Sequence, residues 1–247
     1  MNTPSPAPVI NLSFPHNWQA EVLASRPLIL PKRHYIYPRD AEEVERGALE
    51  VLIHPNILDF PGLEPAQTGP PSHIYRATSQ REQEVSGHDF SRAEIGRQFE
   101  RALAPEESPS AQEFLATCAL GFRDPAVPTG LWSTPNPDEI CAVSGGYAYL
   151  IRTNAPEQFA MLPYRPVLGI RPLPAHGLLL FVGHHALLAW GEHGQAWQSE
   201  KLSDEGITLT AIENNTLHGQ AWNMHTDKEI PFAIDLRTGQ LVPEARS

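Results

Sequence analysis

Residues 177–202, GLLLFVGHHALLAWGEHGQAWQSEKL, hold short apolar segments separated by small clusters of turn formers. Leu178 to Val182 is apolar at every position, so a two-residue period leaves it no polar face. As a strand it must be covered on both sides, as in stacked sheets or adjoining blades. The neighbouring segment His185–Gly191 follows after a break too short for a crossover, and the GEHG turn at 191–194 leads into the next segment. Such spacing favours antiparallel neighbours joined by tight turns.

The same texture extends in both directions. From Phe114 to the end, FLATCALGF, EICAVSG, YAYLIRT, PVLGIRPL, GITLTAIE, TLHGQAWN and EIPFAIDL are separated by turns containing Gly, Asn, Asp or Pro. Ile207, Leu209 and Ala211 are expected on one face of their strand, and Ile230, Phe232, Ile234 and Leu236 on one face of theirs. SGG at 144–146 is expected as a hairpin turn. The fold class expected is mostly β: antiparallel meanders forming propeller-like blades or a β-sandwich, with one or two short helices in the N-terminal half.

Three regions are expected. Residues 1–55 form N-terminal strands and a short helix packing on the core. Asp40 and Glu43 have capping-box spacing at the helix start, and LEVLIHP alternates as a strand afterwards. Residues 56–112 read as a flexible insertion, because PGLEPAQTGPPSHIY is rich in breakers and TSQREQEVSGHD lacks periodicity. Inside it, Ser91 and Glu94 cap a helix whose Ile95, Phe99 and Leu103 make an apolar stripe. Residues 113–247 are the antiparallel β core.

HGQAW occurs at His193–Trp197 and again at His218–Trp222. The first copy begins in a turn and the second lies within a strand, so the two share strand composition and are not a functional repeat unit. Farther on, FAIDLRTGQL carries Ala233, Asp235, Thr238 and Gly239 in A-x-D-x-x-T-G spacing, which resembles a blade of quinoprotein-type β-propellers. The resemblance implies a turn tied by the Asp and Thr side chains and reversed at the Gly. It covers the final part of the chain, carries over no cofactor, and departs from the family pattern at Pro243, where a Trp is usual.

The 247 residues are 41% hydrophobic, enough for a sizeable core, and the formal net charge is −11. Scattered Lys and Arg residues in an acidic chain give no footprint for nucleic acid. No apolar run approaches the length of a membrane span. MNTPSPAPVINLSF has no basic region followed by an apolar one, so a soluble cytoplasmic protein is expected. Cys118 and Cys141 sit in apolar runs without C-x-x-C spacing and are expected as reduced, packed side chains.

Catalytic signatures are partial. His176, His184, His185, Glu192, His193, His218 and His225 are dense late in the chain, and His193, His218 and His225 are the candidate ligands of a metal-dependent hydrolase assisted by Glu192 or Asp227. Asp138 with Glu139, and Asp227 with Glu229, read as solvated turn formers. Phosphate-binding glycine loops are missing. Trp132, Tyr147 and Tyr149 form the candidate binding surface, with core packing as the competing use. The leading expectation is a non-enzymatic soluble β-scaffold that binds a protein or small ligand, with no cofactor. The alternatives are the metallohydrolase and a structural subunit of an assembly.

Overall fold

In a computed structural model that describes residues 7–39, 47–55 and 112–243, the chain forms four open sheets and no barrel. The first sheet has strand order β2 (Trp18–Leu23), β4 (Ala48–Pro55), β5 (Phe114–Ala119), β3 (His34–Tyr37). In the second, β1 (Val9–Asn11) pairs parallel with β6 (Gly130–Ser133), and β7 (Glu139–Ser144), β8 (Tyr147–Arg152) and β9 (Phe159–Met161) follow as a meander. The third is the meander β10 (Gly169–Leu173), β11 (Leu178–Val182), β12 (Leu187–Gly191), β13 (Gly194–Gln198). The fourth is β14 (Ile207–Glu213), β15 (Thr216–Asn223), β16 (Lys228–Asp235). All described residues belong to one compact unit, Met1–Asp59 with Ser108–Ser247.

Residues alternate between cores in a way that orders the sheets. On β7 and β8, Ile140, Ala142, Tyr149 and Ile151 join Val51, Ile53, Phe114 and Ala116 of the first sheet in one core. Their neighbours Cys141, Val143, Ala148 and Leu150 point the other way, into a second core with Leu179, Phe181, Leu188 and Trp190 of the third sheet. On β11 and β12, Leu178, Leu180, Val182, Leu187 and Ala189 then form a third core with Leu217, Ile234 and Leu236 of the fourth sheet. The all-apolar β11 therefore has the two covered faces its sequence requires, and all five of its residues are buried.

Turn chemistry sets the registers. Gly145 and Gly146 both have positive φ, +55° and +76°, as a two-residue type I′ hairpin turn demands between β7 and β8. Asn214, φ +54°, makes the β14–β15 turn. The alternation expected through Ala211 breaks, however. A bulge after Leu209 shifts the pairing, so Ile212 takes the core position that a strict period would give Ala211. The candidate helices beginning at Asp40 and Ser91, and residues 56–111 of the expected insertion, lie outside the described residues.

The A-x-D-x-x-T-G stretch closes the fourth sheet. Asp235 Oδ1 accepts the backbone N–H groups of Arg237 (2.8 Å) and Thr238 (3.1 Å), and Thr238 Oγ1 accepts that of Gln240 (3.3 Å). Gly239 has φ +71°, and a Cβ there would sit 2.5 Å from the Trp197 ring. Trp197 Nε1 in turn donates to the Leu236 carbonyl at 2.7 Å, so the turn clasps a side chain of the third sheet. Gly239→Ala should destabilise the protein by about 2 kcal/mol, from left-handed strain plus the collision with Trp197, lowering Tm by several degrees. Asp235→Ala should lower Tm as well through lost turn hydrogen bonds; thermal melts showing both variants unchanged would remove this clasp from the account of stability.

Candidate functional site

Trp132, Tyr147 and Tyr149 do not share a surface. Tyr147 and Tyr149 do face the same way, but Tyr149 is fully buried in the first core, with its hydroxyl donating to the Ala119 carbonyl at 3.0 Å. Trp132 lies in the second core on the opposite face of the sheet. Tyr147 alone is half-exposed, packed edge-on against Phe122, with the Arg165 guanidinium 5.5 Å from its ring centroid.

The late histidines are also dispersed. His193 is exposed in the β12–β13 turn, His218 is paired within β15, and His225 is in the β15–β16 turn. Among the described residues no three His, Cys, Asp or Glu side chains come together as a metal-binding group. His184 and His185 form the β11–β12 turn and anchor the link to the fourth sheet. The His185 carbonyl accepts Leu202 N–H, the His184 carbonyl accepts Gly206 N–H, and His185 Nδ1 lies 3.1 Å from the Ser203 carbonyl. Glu192 contributes only its carbonyl, to Asn136 Nδ2 (2.8 Å), and Asp227 is an exposed turn residue with φ +53°.

Among the described residues, two carboxylates that the sequence does not single out as a pair are buried. Glu139, expected as a solvated turn former, is instead held between sheets. Its Oε1 accepts Trp190 Nε1 at 2.7 Å, and Oε2 lies 3.6 Å from Arg152 Nε. Burial pushes its pKa up, and the Trp190 hydrogen bond and Arg152 partly oppose that. Glu50 lies on the outer face of the first sheet, opposite the core. β2 and β3 occupy opposite edges of that sheet, so the link 24–33 must cross it, and Arg26 on this link donates to Glu50 Oε1 at 3.0 Å. Thr117, the cross-strand partner of Glu50, donates its hydroxyl to Oε2, while His34 Nε2 lies 2.8 Å from the same hydroxyl oxygen. Thr117 is fully buried, so this Arg–Glu–Thr–His chain ties strands together and offers no reachable nucleophile. Cys118 and Cys141 are buried thiols whose pKa values burial raises.

Among the described residues, a concavity with a ligand's dimensions lies at the fourth sheet. Ile234 and Phe232 face the third core, and Ile230, two residues earlier on the same side, opens onto a hollow of about 390 Å³. Ala221 of β15, Leu202 of the preceding link, and Leu241 and Val242 of the C-terminal segment complete its apolar wall, with Lys201 and Asn223 as polar members. Ile230, Leu241 and Val242 are exposed. Beside it, β16 is an edge strand. Val242 N–H bonds the Ala233 carbonyl and Asp235 N–H bonds the Gln240 carbonyl, so residues 233 and 235 turn their backbone groups outward. The same period aims position 231 outward, and Pro231 has no N–H to offer, which blunts strand addition there.

No protein-family model matches the chain, and no curated protein is significantly similar to it.

The Arg26–Glu50–Thr117–His34 chain has a pH signature. Burial and the nearby Arg26 hold the His34 pKa below its ordinary 6.5, against a smaller opposing effect of Glu50. As pH falls below about 6.5 the unfolded chain takes up a proton that folded His34 resists, so the stability present above that pH declines through the window down to the lowered value. His34→Gln should flatten this limb. Melting curves between about pH 7.5 and 5 that fall equally in both proteins would contradict it.

Proposed function

We propose that this chain is a non-catalytic binding module that takes an apolar group of a ligand or protein partner into the hollow beside β16. The observation that carries this reading is the hollow itself: its volume of about 390 Å³ lies in the range of ligand sites, and its wall leaves Ile230, Leu241 and Val242 in contact with water. The hydrogen bonds that engage Glu50 and Glu139 inside the fold support a structural use for both carboxylates. Pro231 favours insertion of an apolar group over pairing with an incoming strand. The serial meanders and the Asp235 turn support a blade-like reading of the sheets. Buried, unpaired cysteines fit a reducing, cytoplasmic setting.

Titration with an environment-sensitive apolar dye should show one saturable site. Ile230→Asp should weaken it about tenfold or more, the size of effect expected when one large aliphatic contact is lost. Ala221→Phe, which fills the hollow, should weaken it as well. Unsaturable binding, or saturable binding indifferent to both substitutions in folded protein, would overturn the proposal.

A further inference from the structure

The tip of the β7–β8 hairpin carries an exposed aromatic face. Phe122 is 42% exposed and stands edge-on to the half-buried Tyr147 ring, with 5.9 Å between centroids, and the exposed Arg165 guanidinium lies 5.5 Å from the centre of the Tyr147 ring. The hairpin tip gathers them. Phe122 N–H donates to the Gly145 carbonyl at 2.8 Å, and Val167 N–H, two residues after Arg165, donates to the Gly146 carbonyl at 2.8 Å.

The polar chemistry of this face is one-sided. Among the described residues, neither the Tyr147 hydroxyl nor the Arg165 guanidinium has a hydrogen-bond or carboxylate partner. A guanidinium has only donors to give, and the phenol O–H beside it adds another. Apolar rings with free donors suit a ligand that brings apolar bulk and unpaired carbonyls but few N–H groups. A proline-rich segment has that composition, because its rings are apolar, its proline nitrogens carry no hydrogen, and its carbonyls lack internal partners.

The chain carries such a segment close by. TPSPAP, residues 3–8, alternates Thr, Ser and Ala with proline, and each proline restricts itself and the residue before it to extended backbone. Docking then costs little conformational entropy. The segment leads into β1, where Val9 N–H donates to the Thr129 carbonyl at 2.9 Å, and Thr129 Oγ1 accepts Gly145 N–H at 2.9 Å. It therefore enters the fold on the residue that also holds the hairpin tip. β8 follows β1 after three strand spacings, about 14 Å in all, and six residues at about 3.1 Å each reach about 19 Å.

We infer that residues 3–8 dock on the Phe122–Tyr147–Arg165 face of their own chain, with proline rings against the aromatic rings and carbonyls accepting from Tyr147 and Arg165. The contact uses none of the residues that line the hollow beside β16, and its failure leaves that reading standing.

A nitroxide attached through Ser5→Cys reads the contact in the full chain, because Cys118 and Cys141 are fully buried and stay unlabelled. Electron paramagnetic resonance should show an immobilised component whose share does not change on dilution. Phe122→Ala and Arg165→Ala, both at exposed positions, should each convert most of it to the sharp mobile spectrum, as should Pro4→Ala combined with Pro6→Ala. Proton NMR on unlabelled protein gives an independent arm: the Tyr147 ring signals should move when Pro4 and Pro6 are replaced. Unmoved Tyr147 signals would overturn the inference, as would an immobilised label indifferent to Phe122→Ala and Arg165→Ala. Immobilisation that disappears on dilution would overturn it in favour of docking on a second copy of the chain.

Discussion

The two middle sheets are apolar on both faces, and the rest of the molecule follows from the need to cover them. Alternate residues of β7 and β8 feed the first and second cores, and alternate residues of β11 and β12 feed the second and third. A buried Val, Leu, Ile or Phe side chain contributes about 1.5–3 kcal/mol relative to exposure, so an uncovered face on either sheet would be ruinous against a net stability of roughly 5–15 kcal/mol. The first and fourth sheets supply the outer covers. Each has a less apolar second face, and exposed aliphatic side chains lie at both, Leu28 and Ile29 on the link over the first sheet and Ile230 and Leu241 at the hollow of the fourth.

Much of this was legible in local composition. LLLFV has no polar face, GG at a hairpin tip needs positive φ, and FAIDLRTG carries its own turn chemistry, so strand identity and connection type follow from short windows. Facing is harder to read. Leu209 and Ala211 obey a period of two until a bulge, which no propensity announces, hands the core to Ile212. Trp132 on β6 and Tyr149 on β8 are separated by β7 and belong to different cores, because a sheet covered on both sides has no surface on which aromatic residues can gather.

The site was less legible than the fold, for a reason of distance. The hollow is walled by the link at Leu202, by β15, by β16 and by the segment at Leu241, and no window shorter than forty residues contains them. Ile230 was expected on the face it occupies; that the sheet continues beyond its apolar cover is a tertiary fact. The buried carboxylates were hidden similarly. Glu139 reads as a turn acid until Trp190, far along the chain, presents its indole N–H. By contrast, PLILP is a local signal for the exposed part of the link 24–33: an apolar triplet between prolines cannot join a ladder easily.

β4 and β5 are neighbours in an antiparallel ladder, with Ile53 opposite Phe114, although about sixty residues of sequence separate them. In the ladder they pair as hairpin strands, with residues 56–113 as the connecting sequence. Loop-closure entropy grows only with the logarithm of length, so such an excursion costs about 2–3 kcal/mol more than a four-residue turn. Register along β4 and β5 is fixed by Leu49, Val51 and Ile53 facing the same core as Phe114, Ala116 and Cys118, and is therefore indifferent to what the tip contains. The first sheet is thus a natural port for foreign sequence: cargo could be exchanged between these two strand ends while the ladder beneath keeps its pairing.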